Sequence, residues 1–267
     1  MLDKMILGRY VPIHSFVHSL DPRAKLLFVF IMTILVFFMD NWYSYLFGMI
    51  VVYLIIKLSN LNFMFVFNGI KPILFLIIFT FLMHVFLTKG GATLFEWGIF
   101  NIQTNGILMG VMISFRFIII IFISTVMTLT TSPIALTDAI EAILKPFKKI
   151  KLPVHEIALM MSIALRFIPT LMDEAQKVMK AQMSRGSDLS SGNAIERIKA
   201  IGPLLIPLFV SAFKRADDLA IAMEVRGYKG DEGRTKYRKL NWKTSDTLLL
   251  FSLIPIGIII FILRSIT

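Results

Sequence analysis

Five windows of this chain are almost free of charge, and they limit what it can fold into more than any other feature. Leu26–Met39, Asn41–Ile56, Pro72–Thr88 and Thr247–Leu263 contain no lysine, arginine, aspartate or glutamate, and Gly106–Thr130 contains Arg116 alone. A helix that crosses a bilayer needs roughly 17–25 predominantly apolar residues. Inside hydrocarbon the backbone must satisfy its own hydrogen bonds, and a helix does so within one segment. The windows predict an all-α integral membrane protein with about five transmembrane helices. Leu26–Met39 is short for the task, so Lys25 at its edge is expected to snorkel. Asn41-Trp42-Tyr43 opens the second window as an interfacial belt, and Pro255 and Gly257 interrupt the last.

Composition excludes the ordinary soluble domain. The chain is 57% apolar and 17% charged, where soluble domains hold about 45–50% and about 25%. Its 24 phenylalanines and 16 methionines suit lipid contact and loosely specified helix packing. The absence of cysteine removes disulfides, thiol catalysis and cysteine-ligated metal. The first 25 residues carry Asp3, Lys4, Arg9, Asp21, Arg23 and Lys25 and do not read as a signal peptide.

Charge sets the expected orientation. The net charge is +11, and residues 131–245 hold 19 lysines and arginines against 12 acids, a surplus of seven. Lys57–Lys71 carries two lysines and no acid, whereas Asp40 and Lys89–Asn105 together carry one lysine and two acids. Basic loops stay in the cytoplasm. The N-terminus, Lys57–Lys71 and residues 131–245 are therefore expected there, and five spans leave the C-terminus outside. The organisation expected is a membrane part over 1–130 with four helices, a cytoplasmic segment over 131–245 and a last span over 246–267. Anionic lipid is a natural partner for such a surface; nucleic acid is not, because the charge shares a chain with lipid-compatible runs.

The cytoplasmic segment reads as two to three helices. Ser132-Pro133 is an N-cap followed by a proline at the first helical position, predicting a helix to Leu144. Leu152-Pro153 opens a second, with Glu156 in its first turn, where the helix dipole favours an acid, running to Arg185. Ser191–Asn193 offers caps for a third, ending at Arg226-Gly227, which Pro203 and Pro207 are expected to break or kink.

Two of these helices end alike. One closes Ala181-Gln182-Met183-Ser184-Arg185-Gly186 and the other Ala222-Met223-Glu224-Val225-Arg226-Gly227, with the arginines 41 residues apart. A glycine past the end takes the left-handed conformation that stops a helix. The arginine before it is held at the tip, where its cation suits the dipole and its planar fork fits a carboxylate on another protein. Ala181 and Ala222, one turn earlier, leave room for an approaching surface, and Glu224 stands beside Arg226 to hold it or compete for it.

With those residues the chain resembles the transmembrane coupling components (EcfT) of energy-coupling factor vitamin transporters, a CbiQ-like family. That family's signature is two X-Arg-X motifs on cytoplasmic coupling helices, matched here by Ser184-Arg185-Gly186 and Val225-Arg226-Gly227. The resemblance extends to His18-Ser19-Leu20-Asp21-Pro22-Arg23-Ala24-Lys25-Leu26, Thr130-Thr131-Ser132-Pro133 and Leu165-Arg166-Phe167-Ile168-Pro169. It implies a multi-pass plasma-membrane subunit of a bacterial ATP-binding-cassette importer. The implied partners are two cytoplasmic ATPases and a small substrate-binding membrane subunit. Each X-Arg-X tip is expected to sit on one ATPase and pass its ATP-driven motion to the substrate-binding subunit. The implied cargo is a vitamin or similar micronutrient, with a cobalt- or nickel-type relative also open.

No catalytic residues are expected. Gly227–Thr235 is glycine-rich but lacks the Gly-Lys-Ser/Thr of a phosphate loop, so ATP and magnesium belong to the partners and the chain binds no cofactor itself. No metal site is expected: His14 and His18 are four apart with no third ligand placed beside them. Arg116, a charge within a span, is costly unless paired, and Asp138 and Glu141 are candidate partners. The alternative reading is a secondary transporter that binds its own substrate. It favours inverted repeats and broken helices about a midplane site, of which only the broken last span is present.

Overall fold

The computed structural model describes residues 10–97, 100–151, 153–185, 194–230 and 240–265. They form α1 (Phe16–Ser19), α2 (Pro22–Phe37), α3 (Trp42–Leu58), α4 (Phe63–Asn68), α5 (Leu74–Leu87), a hairpin of β1 (Thr93–Trp97) and β2 (Phe100–Gln103), α6 (Thr104–Thr130), α7 (Pro133–Leu144), α8 (Val154–Ser184), α9 (Ala194–Val225), α10 (Thr244–Phe251) and α11 (Leu253–Ser265). The chain is an all-α membrane protein apart from the small antiparallel hairpin. It divides into two compact units, Met1–Ala142 with Lys239–Thr267, and Ile143–Arg238.

Phe63–Leu87, Thr104–Thr130, Val154–Ser184 and Thr244–Ser265 are long and apolar enough to cross a membrane, and Trp42–Leu58 is a shorter apolar helix. Three points differ from the sequence reading. Helix begins at Phe63 inside the expected loop Lys57–Lys71, because Asn62 Oδ1 accepts from the Met64 N–H at 3.1 Å and caps it. Val154–Ser184, expected in the cytoplasm, also passes the length and apolarity test, although its mean hydropathy is 1.4 against 2.3–2.5 for the other three. Pro203 and Pro207 lie inside a continuous α9. They are four apart, so the two backbone bonds they remove fall on one face while the ladder continues on the other. The interruption of the last span does occur: Pro255 has no N–H to offer the Phe251 carbonyl, and α10 ends at Phe251.

The first unit is held by a core of Met32, Val36, Met39, Val66, Ile119 and Ile260, all fully buried. α5 and α6 come closest at Gly106, where an added Cβ would stand 2.9 Å from the His84 carbonyl oxygen and 3.1 Å from those of Val85 and Thr88. Only glycine allows backbone to approach backbone in this way. The outward faces keep large side chains exposed, Phe30, Phe75 and Phe79 among them, as lipid contact requires.

α2 is pinned along the C-terminal half of α6 at two levels. At one end Lys25 Nζ donates to the Thr130 carbonyl at 3.0 Å and the Val11 N–H donates to that of Leu129 at 3.0 Å. These donors satisfy carbonyls that a helix end leaves open. At the other end Arg116 Nη2 donates to the Met39 carbonyl at 3.0 Å and to Tyr45 Oη at 3.1 Å. Lys25 and Met39 are fourteen positions apart, as are Arg116 and Thr130. The two segments therefore run antiparallel over matched spans of roughly 21 Å.

Candidate functional site

The second unit builds the two arginine-tipped ends. At the end of α8 the Arg185 N–H donates to the carbonyls of Ala181 at 3.2 Å and Gln182 at 3.1 Å, and Ser184 Oγ donates to the Lys180 carbonyl at 3.0 Å. At the end of α9 the Arg226 N–H donates to the Ala222 carbonyl at 3.3 Å. In both, arginine closes the final turn onto the alanine four residues before it.

The α9 end continues as a full left-handed cap. The Gly227 N–H donates to the Glu224 carbonyl at 2.8 Å and the Tyr228 N–H to the Met223 carbonyl at 3.0 Å, with Gly227 at φ +72. This pairing defines the Schellman ending. A Cβ on Gly227 would meet nothing within 4 Å, so glycine is required for its backbone angle and not for space. Gly186, the counterpart on α8, lies outside the described residues.

Ala181, Ser184, Arg185, Ala222, Glu224, Val225, Arg226 and Gly227 are all exposed, Val225 at 82%. Neither arginine side chain takes a hydrogen bond or ion pair from the described residues. Each tip leaves its arginine exposed.

The two tips are not brought together. Glu174 of α8 accepts from Ser211 Oγ at 2.9 Å and forms an ion pair with Arg215, both on α9. The earlier residues Leu159, Ile163 and Arg166 instead share a cavity with the later residues Met223 and Arg226, so rising numbers on one helix face falling numbers on the other. α8 and α9 are antiparallel, and their tips point away from each other on either side of the Glu174–Arg215 contact. The sequence alone does not single out this contact. Its only trace is that Glu174 precedes Arg185 by eleven residues and Arg215 precedes Arg226 by eleven.

The remaining candidates belong to the first unit. Arg116 is paired, but its acid is Asp40 at 3.8 Å, not Asp138 or Glu141. Asp40 lies just past the end of α2, beside the Met39 carbonyl that Arg116 also binds, and is shared with Arg264 at 3.0 Å. His18 is a staple: its Nδ1 is 2.6 Å from Ser15 Oγ and its Nε2 3.0 Å from the Val11 carbonyl.

The His18–Leu26 motif forms a buried polar knot. Asp21 caps α2 through the Arg23 N–H at 2.9 Å and pairs with the Arg23 guanidinium at 2.9 Å. Its own N–H donates to Asp246 Oδ1 at 2.7 Å, while Asp246 Oδ2 accepts the Lys243 N–H at 2.7 Å. Burial pushes the Asp21 carboxyl up, but the Arg23 hydrogen bonds and the charges of Arg23 and Lys25 outweigh it and hold the group below its ordinary value. Asp246, fully buried, had no sequence signal beyond its place at the start of the last helix.

The cobalt transport protein (CbiQ) family model matches residues 14–237. The chain is 72% identical over 265 residues to the energy-coupling factor transporter transmembrane protein EcfT of Macrococcus caseolyticus, covering 99% of this chain and all of that one. It is 56% identical to the protein of the same name in Staphylococcus aureus over 99% of this chain and 98% of that one. With the Bacillus subtilis protein of that name the identity is 53%, over 99% and 100%.

Proposed function

From the premise that the chain belongs to the CbiQ family of energy-coupling factor transporter transmembrane proteins, we propose that it is the coupling subunit of an ATP-driven importer. In this reading two cytoplasmic ATPases bind and hydrolyse ATP with magnesium, and this chain carries no nucleotide, metal or catalytic group. A separate small membrane subunit binds the substrate, a vitamin or similar micronutrient. The positive surplus over residues 131–245 supports a cytoplasmic side for α8 and α9, and for the N-terminus with them.

The observation that carries the proposal is the pair of opposed tips. Arg185 and Arg226 each close a helix onto an alanine four residues back and lie equally far from the Glu174–Arg215 contact. Eleven residues of helix give each arm roughly 16 Å. Two exposed guanidiniums at opposite ends of one crossed pair suit two docking sites, one on each ATPase, better than one shared site. Motion of the ATPases then turns the arms about their crossing. The exposed apolar stripe Ile206, Phe209, Val210 and Phe213 of α9 passes that motion on.

The test is affinity purification of the detergent-solubilised chain from its native membranes, with mass spectrometry of co-purifying proteins, for wild type and Arg185→Ala/Arg226→Ala. Two ATP-binding-cassette ATPases and a small membrane protein with wild type, and loss of the ATPases with the double variant, are expected. ATPases retained in full by the double variant, or a wild-type chain that purifies alone and binds substrate, would overturn it.

A further inference from the structure

The two tips differ in what surrounds them. A cavity of about 710 Å³ opens beside the Arg226 end. It is lined by Arg226 and Lys229, which follow α9, by Arg166 from the first half of α8, and by apolar side chains, Ile163, Phe167 and Met223 among them. No acid lines it. Arg166 is sixty positions before Arg226 and reaches the cavity because α8 and α9 are antiparallel. Within the described residues, neither arginine has its charge neutralised by a neighbour.

We infer that this cavity is a two-arginine seat for one carboxylate of the ATPase that docks at the Arg226 tip, with Arg166 a second binding residue beside Arg226. The inference rests on the proposed function and adds to it a residue outside the tip motif. Two guanidiniums converging on one oxyanion make a stronger and more directional site than one, because each offers a planar fork of donors. The apolar part of the lining suits a large apolar side chain next to that carboxylate. The occupant is therefore a segment of the partner ATPase bearing an aspartate or glutamate beside an apolar residue. Lys229 on the rim adds attraction at long range but no fixed geometry.

The α8 tip has no such companion among the described residues. The seat makes the two ends inequivalent, so the chain can distinguish two different ATPases or set one orientation for a pair.

The experiment uses the full chain co-purified with its ATPases. It measures ATPase retention against salt concentration for Arg166→Gln, Arg166→Lys, Arg226→Ala and Arg166→Gln/Arg226→Ala, with the thermal unfolding of each full chain followed in detergent. Arg166→Gln should weaken ATPase binding roughly tenfold or more, as truncating one side of a desolvated charge pair does. Arg166→Lys should recover part of the loss. The double variant should fall short of the sum of the single effects, since both groups hold one anion, and unfolding should be unchanged. If Arg226→Ala weakens binding while Arg166→Gln binds as wild type, the seat is refuted and the coupling function stands. If neither single change nor Arg185→Ala/Arg226→Ala affects binding, the coupling function itself fails. A loss in Arg166→Gln matched by a lowered unfolding temperature, with no recovery in Arg166→Lys, assigns Arg166 to the helix pair and also refutes the seat.

Discussion

Glu174 and Arg215 form the ion pair that fastens α8 to α9, and each stands eleven residues before the arginine that ends its helix. The contact is partly open to solvent, with the two side chains about a quarter and a third exposed. Its value lies in fixing where the helices cross more than in adding stability.

Breaking that contact should therefore separate stability from coupling. Glu174→Gln should leave the unfolding temperature close to that of wild type, because solvent screens the pair, yet reduce uptake if the chain couples as proposed. The exchanged pair Glu174→Arg/Arg215→Glu should restore uptake in part. Uptake in reconstituted vesicles beside thermal unfolding of the same preparations checks this; normal uptake by Glu174→Gln would remove the crossing from the mechanism.

The cap at Gly227 predicts a different pattern. Gly227→Ala puts a Cβ into open space but asks alanine for the left-handed conformation, at about 1–2 kcal/mol. The cost falls on the last turn of α9 alone. Hydrogen exchange should quicken at the amides of Gly227 and Tyr228 and stay unchanged across α2 to α6. Gly227→Asn should be milder, because asparagine tolerates that region.

Arg116 should matter for folding. Arg116→Leu leaves the Met39 carbonyl and the Tyr45 hydroxyl without their donor, and a buried polar group so orphaned costs about 1–3 kcal/mol. The unfolding temperature of the purified chain should fall clearly. Asp40→Asn should do less, since its carboxylate is half exposed and 3.8 Å away. An Arg116→Leu chain as stable as wild type would show that the pin contributes nothing.

The knot at Asp21 adds an acid dependence. Its folded pKa lies below the ordinary 3.8, so it contributes stability that is fully present above pH 4. That contribution is lost as pH falls through the lowered folded value. Asp21→Asn removes this dependence, and its unfolding temperature should decline less steeply than that of wild type below pH 4.

Much of this was legible in the sequence wherever local chemistry decides. Ser132-Pro133 starts α7 and Leu144 ends it as expected, since a cap and a proline act on the residues next to them. Gly227 announced a left-handed ending for the same reason. Arg116 was visible as a charge that needed a partner, but not the partner, because Asp40 is brought to it by the packing of α2 on α6. Glu174 was hidden among Asp173 and Lys177, any of which has the chemistry to pair across helices. Only the antiparallel crossing selects one. The hairpin of β1 and β2 leaves little trace because strands of five and four residues are too short to stand out against the apolar windows around them.

The pins at Lys25 and Arg116 make the segment between them a ruler of fixed length. Substitutions along it leave the ruler intact so long as they stay apolar. A single inserted residue between Lys25 and Met39 would turn everything beyond it by about 100° and advance it by about 1.5 Å, carrying the Met39 carbonyl away from Arg116 with no side chain changed. This stretch of the chain can drift in spelling but not in letter count, and a register test by insertion would strike it harder than any alanine scan.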